Sequence, residues 1–151
     1  MSFLIGKKVL VGISGGIAAY KSPEIVRQLI KNGSEVKVIM TPAAKDFVTP
    51  LSLSTVSNNP VLSSFISEDS DNPLWNNHVD IANWADLFLI APATSNTISS
   101  IANGKCNNLL LATYFSSKCP VMIAPAMDLD MYKHPSNKKN IKKIKSYNNI
   151  I

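Results

Sequence analysis

The residues best suited to binding chemistry stand together in one polar cluster, Thr94, Ser95, Asn96 and Thr97. Their hydroxyls, amide and backbone N–H groups can hold a phosphate or a polar heterocycle. The same residue types also cap helix N-termini, so the cluster alone leaves a ligand site and an ordinary helix cap equally open. Whether the cluster is a ligand site or only a helix cap depends on the segments that the fold places beside it.

A second binding element is the glycine-rich turn Ser14-Gly15-Gly16, which follows a short β-branched run. Such turns cradle phosphates with backbone N–H groups. A dinucleotide fold would show G-x-G-x-x-G here and an acidic residue after the second strand, whereas this chain has Thr41 at the latter place. A threonine hydroxyl suits a terminal phosphate better than a ribose diol, and the chain lacks a Walker A motif. Nicotinamide dinucleotides and nucleoside triphosphates are therefore disfavoured as ligands.

One histidine, His78, follows the longest polar stretch of the chain, residues 58–77. Long loops in compact domains are often functional, and histidine is the side chain best suited to proton transfer at neutral pH. A lone histidine is nevertheless more often structural or solvated. Both a catalytic and a structural His78 stay open at this point.

The segment 125–132 begins at a proline and carries two methionines and two carboxylates: Met127, Met131, Asp128 and Asp130. The alternative interpretation is that the methionines fill the core and that the carboxylates belong to surface turns. Cys106 and Cys119 form no C-x-x-C pair and have no histidine at metal-ligand spacing, which predicts reduced thiols and no metal site.

The polar segments follow apolar runs of strand length. Residues 87–91 form an uninterrupted apolar run that ends at Pro92 and suits a strand covered on both faces, in the middle of a parallel sheet. Runs at 9–13, 35–40 and 120–124 predict further strands, joined by helical crossovers. The predicted fold is α/β, a Rossmann-like (flavodoxin-like) open parallel sheet with helices on both faces. Its polar segments should converge at the carboxyl ends of the strands, where open α/β sheets bind ligands.

The first predicted helix covers residues 17–32, and Gly33 closes it. Pro23 indicates either a local irregularity in a helix that begins near Gly16, which we favour, or a regular helix that begins at Pro23 with Ser22 as its cap. The residues predicted on or near its apolar face are Ile17, Tyr20, Ile25, Leu29 and Ile30. Further helices are predicted at 43–47, 50–57, 79–84, 98–102 and 107–117.

The composition predicts a single cytoplasmic domain. With 151 residues, 46% of them hydrophobic and 17% charged, the chain can bury a substantial core. The net charge of +5 is densest in lysines of a predicted surface helix that lacks interleaved aromatics, so nucleic acid is not a predicted partner. The N-terminus lacks a signal-peptide pattern, and no apolar run reaches the roughly 18 residues of a membrane span. The lysines of the predicted surface helix are Lys138, Lys139, Lys142, Lys143 and Lys145.

Five stretches together carry a family resemblance: 12–21 (Gly-Ile-Ser-Gly-Gly-Ile-Ala-Ala-Tyr-Lys), 40–44 with Phe47, His78 ahead of Trp84-Ala85-Asp86, 91–97, and 125–132. In this order and spacing the chain resembles the flavin-dependent cysteine decarboxylases. The resemblance is greatest to the flavoprotein half of the bacterial bifunctional phosphopantothenoylcysteine decarboxylase/phosphopantothenate–cysteine ligases. It covers nearly the whole chain.

The resemblance implies FMN as the cofactor. His78 matches the active-site histidine of the family, and Asp128 stands where most relatives carry an asparagine that meets the substrate carboxylate. The family binds its flavin at the contacts of a trimer, so a homotrimer, or a dodecamer built from trimers, is expected. The residues implied to hold FMN are Ser14, Gly15, Gly16, Thr41, Phe47, Thr94, Ser95, Asn96, Thr97 and Met127.

The implied reaction is the decarboxylation of 4′-phospho-N-pantothenoylcysteine to 4′-phosphopantetheine in coenzyme A biosynthesis. Direct loss of carbon dioxide from a cysteinyl carboxylate would leave an unstabilised carbanion. The flavin therefore first oxidises the thiol-bearing carbon to a thioaldehyde, which acts as an electron sink, and the resulting enethiol is reduced afterwards. By analogy, His78 would support deprotonation or orient the substrate.

The chain departs from the family pattern at two points. Asp128 replaces a neutral amide by a carboxylate, which repels a substrate carboxylate unless the site is desolvated. Relatives also carry, further along the chain, a cysteine-containing clamp that protonates the enethiol, and neither Cys106 nor Cys119 matches it. We therefore expect residues 1–151 to be one flavoprotein domain without the clamp and the ligase domain, able at most to complete the first half-reaction.

Two alternatives to this activity stay open. One is another flavin enzyme of the same fold, a peptidyl-cysteine decarboxylase or a flavin prenyltransferase. The other is a non-catalytic or half-reaction-only FMN-binding fragment. The segment 50–56 and the Thr41-Pro42-Ala43-Ala44 run favour the coenzyme A branch.

Overall fold

The protein is described here by a computed structural model covering residues 3–66 and 75–151. Within these ranges, four strands form one parallel sheet in the order β2-β1-β3-β4. The predicted α/β, Rossmann-like parallel sheet is confirmed. The strands are β1 (Lys8–Ile13), β2 (Glu35–Met40), β3 (Leu87–Ala93) and β4 (Val121–Pro125).

Helices connect the strands and cover both faces of the sheet. Two short 3-10 helices, Ile17–Lys21 and Pro42–Asp46, directly follow the turns after β1 and β2. The α-helices are α1 (Ser22–Lys31), α2 (Pro50–Ser57), α3 (His78–Trp84), α4 (Ser95–Ala102), α5 (Leu109–Ser116), α6 (Leu129–Lys133) and α7 (Pro135–Lys145).

The core consists of two layers because successive side chains of a strand point to opposite faces. Val9, Val11 and Ile13 of β1 pack in one layer with residues of α1 and α2. Leu10 lies in the other layer, with Phe88 of β3 and residues of α4, α5 and α7. Each layer fixes the helices whose N-terminal ends border the carboxyl edge of the sheet.

The central strand β3 lies between β1 and β4, as its apolar run predicts. It does not end at Pro92, as the sequence suggested, but continues to Ala93. Pro92 lacks an N–H group, and the pairing of β3 with β4 shifts register between Ile90 and Ala93. The Ala91–Pro92 peptide is cis.

The helix after β1 corrects the sequence analysis in two respects. Its first turn is a 3-10 helix, and the regular α-helix begins at Ser22 with Pro23 in the first turn, where a missing N–H costs nothing. The predicted apolar face is wrong in part: Ile17, Tyr20 and Ile30 are exposed, whereas Ile25 and Leu29 are partly buried and Leu29 packs against the core. The buried positions of this segment are Ala19, Ser22 and Val26.

Other elements differ from prediction mainly at their ends. The predicted helix 107–117 begins at Leu109, since Asn108 caps it, and the predicted loop 125–132 contains the start of α6. Residues 67–74 of the long polar stretch lie outside the described residues. In the described part of the chain, no helix is long and apolar enough to cross a bilayer.

Candidate functional site

A cavity with two lobes lies at the carboxyl edge of the sheet, and the predicted binding segments meet there. The two lobes share Gly15, Thr94 and Asn96 in their linings. The apolar lobe, of about 590 Å³, is lined by Gly15, Gly16, Ile17, Ala18, Pro92, Thr94, Ser95, Asn96, Ala126, Met127, Asp128 and Met131. The polar lobe, of about 270 Å³, is lined by Gly15, Thr41, Pro42, Ala43, Thr94, Asn96, Thr97, Ser100, Asn107, Asn108 and Leu111.

Ser14 joins the turns that follow β1 and β3. Its Oγ donates to the backbone oxygen of Pro92 at 2.5 Å and accepts from the backbone N–H of Thr94 at 3.0 Å. The side chain is fully buried and does not line either lobe. The structure therefore places the Ser14 hydroxyl behind the cavity wall, where it holds two predicted binding segments together.

Gly15 lies against the first residues after β2. A Cβ atom at this position would stand 2.7 Å from the Cβ and 2.8 Å from the carbonyl carbon of Ala43. The backbone can approach so closely only because glycine has no side chain. Because Gly15 has no side chain, the glycine turn and the segment 41–43 can lie against each other as adjoining walls of the polar lobe.

The cluster 94–97 both caps a helix and lines the cavity. Thr94 Oγ1 accepts from the backbone N–H of Thr97 at 3.3 Å at the N-terminus of α4, which is the ordinary capping role. Asn96 and Thr97 belong to the first turn of α4, and both line the polar lobe. The two interpretations of this cluster are thus compatible, since the cap directs the first turn of α4 to the cavity.

Thr41 provides the most informative polar atom of the site. Its backbone N–H donates to the carbonyl of Ile13 at 2.9 Å, but its buried Oγ1 has no hydrogen-bond partner. A buried hydroxyl without a partner costs about 1–3 kcal/mol, so such atoms are rare unless a ligand or water completes them. Because Thr41 lines the polar lobe, its hydroxyl is available to a polar ligand there.

Met127 and Asp128 come to the apolar lobe from the segment after β4. This segment is tied to the sheet by the Ala126 N–H, which donates to the carbonyl of Ala93 at 3.0 Å. Asp128 caps α6, since its Oδ1 accepts from the N–H of Met131 at 3.0 Å. The side chain of Asp128 is exposed.

His78 and Phe47 do not line either lobe. His78 opens α3, and its ring meets the ring of Phe65 edge-on, with centroids 6.2 Å apart. Its Nδ1 is buried and has no hydrogen-bond partner. Phe47, at the end of the 3-10 helix after β2, is 43% exposed. The structure thus places these two predicted site residues outside the linings of both lobes.

Sequence reasoning missed the side of the polar lobe that Ser100, Asn107, Asn108 and Leu111 form. Asn108 Oδ1 accepts from the N–H of Leu111 at 2.9 Å and so caps α5. The Asn107-Asn108 pair before an apolar run is a capping pattern that could have placed this helix start. Its position at the cavity depends on the packing of α5 against the sheet.

The cysteines lie apart from the cavity linings. Cys106 is exposed, and Cys119 lies just before β4. Burial raises the pKa of the Cys119 thiol, which keeps it protonated. Burial likewise raises the pKa of Tyr114, whose hydroxyl accepts from Asn149. Over residues 3–66 and 75–151, no group of three or more His, Cys, Asp or Glu side chains could hold a metal ion.

The cavity suits a ligand that is flat and apolar at one end and anionic at the other. Pro92, Ala126 and Met127 give the larger lobe an apolar surface for a ring system. The smaller lobe offers the unpartnered Thr41 hydroxyl, the asparagines and the first turn of α4, whose N–H groups favour anions. This combination fits a heterocycle joined to a single phosphate, the chemistry of FMN.

Comparisons with known proteins show what this chain is similar to. The model of the family described as Flavoprotein matches residues 4–151. The coenzyme A biosynthesis bifunctional protein CoaBC of Vibrio cholerae is 45% identical over 93% of this chain and 35% of its own length. The crystal structure of the FMN-dependent cysteine decarboxylase SpaF superposes with a TM-score of 0.89 at 26% identity, over 98% of this chain and 84% of that one.

A second solved structure, of a PPC decarboxylase mutant complexed with pantothenoylaminoethenethiol, superposes with a TM-score of 0.80. It is 28% identical, over 97% of this chain and 81% of that one. The chain spans about a third of the length of the curated relatives it matches.

Proposed function

The chain belongs to the Flavoprotein family, and on this premise we propose that it is the FMN-binding domain of a phosphopantothenoylcysteine decarboxylase. The observation that carries the proposal is the buried, unpartnered hydroxyl of Thr41 in a cavity whose lobes suit the two ends of FMN. The identity of 45% to a coenzyme A biosynthesis protein, against 27% to a peptidyl-cysteine decarboxylase and 34% to an epidermin biosynthesis protein, favours the coenzyme A substrate over a peptide. The reaction forms 4′-phosphopantetheine and carbon dioxide.

The residues proposed to hold FMN divide between the lobes. Gly16, Ser95 and Met127 border the space for the ring system, and Thr41, Asn96 and Thr97 border the space for the phosphate end. Gly15 and Thr94 border both lobes, and Ser14 keeps the two turns in register. The exposed Phe47 is available to the rim of the site.

When bound, FMN supplies the two-electron oxidation that turns the thiol-bearing carbon of the substrate into an electron sink. The chain supplies the walls of the binding site. Asp128, at the opening of the apolar lobe, is proposed to contact the substrate. His78 is proposed to orient the substrate or accept its proton through an imidazole nitrogen.

The experiment that tests this function uses the purified chain. Denaturation should release FMN in near-stoichiometric amount, and incubation with phosphopantothenoylcysteine should release carbon dioxide. A peptide with a C-terminal cysteine serves as the competing substrate. A chain that binds no FMN would refute the proposal, and carbon dioxide release from the peptide alone would favour the peptidyl-cysteine decarboxylases.

Replacing Thr41 by valine should have opposite effects on stability and on binding. Valine has the shape of threonine and removes the unpartnered hydroxyl, so the free energy of unfolding without FMN should rise by about 1 kcal/mol. The affinity for FMN should fall roughly 10-fold, because the hydroxyl no longer donates to the ligand. Thermal unfolding and FMN titration measure the two effects.

Thr113 offers a matched control for this substitution. Its Oγ1 is also buried without a partner, and it lies in α5 outside both lobes. T113V should therefore stabilise the chain without changing the FMN affinity. Equal FMN affinities of T41V and the original chain would show that Thr41 does not contact the cofactor.

We further propose that the chain assembles into a homotrimer or a dodecamer. Ile17, at the rim of the apolar lobe, is 80% exposed, and Tyr20, Leu51 and Leu129 are more than half exposed. Exposed apolar side chains that form one patch are typical of protein interfaces, and Ile17 and Tyr20 belong to the same short 3-10 helix. Light scattering should give a mass that is a multiple of three chains, and a monomer that retains FMN would contradict the proposal.

A further inference from the structure

Asn137, in the first turn of α7, connects two walls of the apolar lobe without lining it. Its Oδ1 accepts from Ser95 Oγ at 2.6 Å, and its Nδ2 donates to the backbone oxygen of Met131 at 2.7 Å. Both of these residues line the lobe: Ser95 belongs to α4 and Met131 to α6. Asn137 is only 7% exposed, so water does not readily replace these bonds.

The wall on the Met131 side is held mainly by hydrogen bonds, among them the bond from the His134 N–H to the Met131 carbonyl at 3.1 Å. None of the five residues of α6 is buried, so side-chain packing does not fix this helix. Its N-terminal side is tied to β3 through the bond from Ala126 to Ala93. The bond from Asn137 ties its C-terminal side to α7, which packs against α4. The position of Met131 relative to Ser95 thus depends on Asn137.

Only an amide meets both requirements of this position. The carbonyl of Met131 can only accept, which fixes Nδ2 toward it and Oδ1 toward the serine hydroxyl. Aspartate would keep the acceptor for Ser95 and lose the donor to Met131. Leucine would lose both bonds: Ser95 Oγ would lose its acceptor, and the Met131 carbonyl would keep only its bond from the His134 N–H.

We propose that Asn137 is a positioning residue that sets the width of the apolar lobe and thereby the affinity for the cofactor. It acts through Ser95 and Met131 and does not touch the ligand. The inference rests on the proposed function, since the lobe is the space assigned to the flavin ring.

The test measures FMN affinity by fluorescence titration in Asn137→Leu, Asn137→Asp and Ser95→Ala. N137L should bind FMN roughly 10-fold more weakly, and S95A roughly 3-fold more weakly. The double variant N137L/S95A should bind like N137L alone, because both substitutions remove the same bond. The absorption bands of the bound flavin should also shift in N137L, since the ring meets a displaced Met131.

Ile144→Ala is the matched control. Ile144 lies in α7 with no exposed surface and lines neither lobe, so I144A should lower the melting temperature while leaving the FMN affinity and the flavin spectrum unchanged. If N137L does not fold, N137D takes its place; it keeps the bond from Ser95 and loses the bond to Met131, so a loss of affinity between about 2-fold and 10-fold is expected.

Three outcomes overturn the inference. One is an N137L or N137D affinity within about twofold of the original chain. Another is additive effects of N137L and S95A. The third is an equal loss of affinity in I144A, which would make the effect one of general stability. An original chain that binds no FMN would refute the proposed function itself, and the inference with it.

Discussion

Replacing Gly15 by alanine is expected to weaken FMN binding about 100-fold, or about 2.7 kcal/mol, because it displaces a turn that lines both lobes. The added Cβ would lie 2.7–3.0 Å from the Cβ, carbonyl carbon and oxygen of Ala43. Two of these atoms are backbone, so the glycine turn must move away from the segment that carries Thr41. The same overpacking should lower the free energy of unfolding by about 1–3 kcal/mol. FMN titration and thermal unfolding measure both.

Two further variants separate binding from stability. Val36→Ala, in the core at the start of β2, should destabilise the chain comparably and keep its FMN affinity. Adding Ala43→Gly to Gly15→Ala removes only the Cβ contact and leaves the two backbone contacts, so it should restore little affinity. Full restoration by this second substitution would show that the backbone approach does not determine binding.

Replacing His78 by asparagine is expected to slow the release of carbon dioxide by about 100- to 10,000-fold while the chain still binds FMN. Asparagine keeps a hydrogen-bonding side chain of similar size but cannot accept and return a proton at neutral pH. Since His78 lines neither lobe, the flavin should remain bound and its spectrum nearly unchanged. Single-turnover release of carbon dioxide and the visible spectrum test the two statements.

His134 provides the control, because it is the second histidine of the chain and caps α7 through Nδ1. Asparagine is also a good cap, so H134N should keep both activity and stability. If H78N releases carbon dioxide nearly as fast as the original chain, His78 is structural.

The position of His78 outside the cavity also permits a test of the proposed assembly. If His78 of one copy completes the site of another, mixed assemblies of G15A and H78N chains should regain activity that neither variant has alone. A site completed within one chain would give no such recovery. The Phe65 and Trp75 rings, 5.9 Å apart beside His78, would then mark the contact surface of the neighbouring copy.

The sequence alone predicted the elements that depend on local patterns. The apolar runs identified all the strands that the described residues contain, and β2 and α2 have the predicted bounds, 35–40 and 50–57. Gly33 closes α1 at a φ of +95° as predicted, because a left-handed residue after a helix favours glycine. These features follow from side-chain type and short spacing, which a single sequence displays directly.

The exposed apolar residues of the 3-10 turn show where local patterns failed. Ile17 and Tyr20 have helical spacing with Ile25 and Leu29, yet the tight first turn rotates them out of the core and buries Ala19. A change from α to 3-10 geometry alters the angle between successive side chains, so the spacing no longer describes a single face. The sequence around Pro23 indicated an irregularity but not its geometry.

Tertiary structure decided which polar side chains of the site have a hydrogen-bond partner within the chain. Ser14 and Pro92 are 78 residues apart, and their hydrogen bond turns a predicted ligand contact into a brace behind the wall. Ser95 and Asn137 are 42 residues apart, and no local pattern singles out that bond. Thr41, in contrast, lines the polar lobe, and its hydroxyl has no partner. Sequence lists which side chains can form hydrogen bonds, but whether each remains free for a ligand depends on what the fold brings within about 3 Å of it.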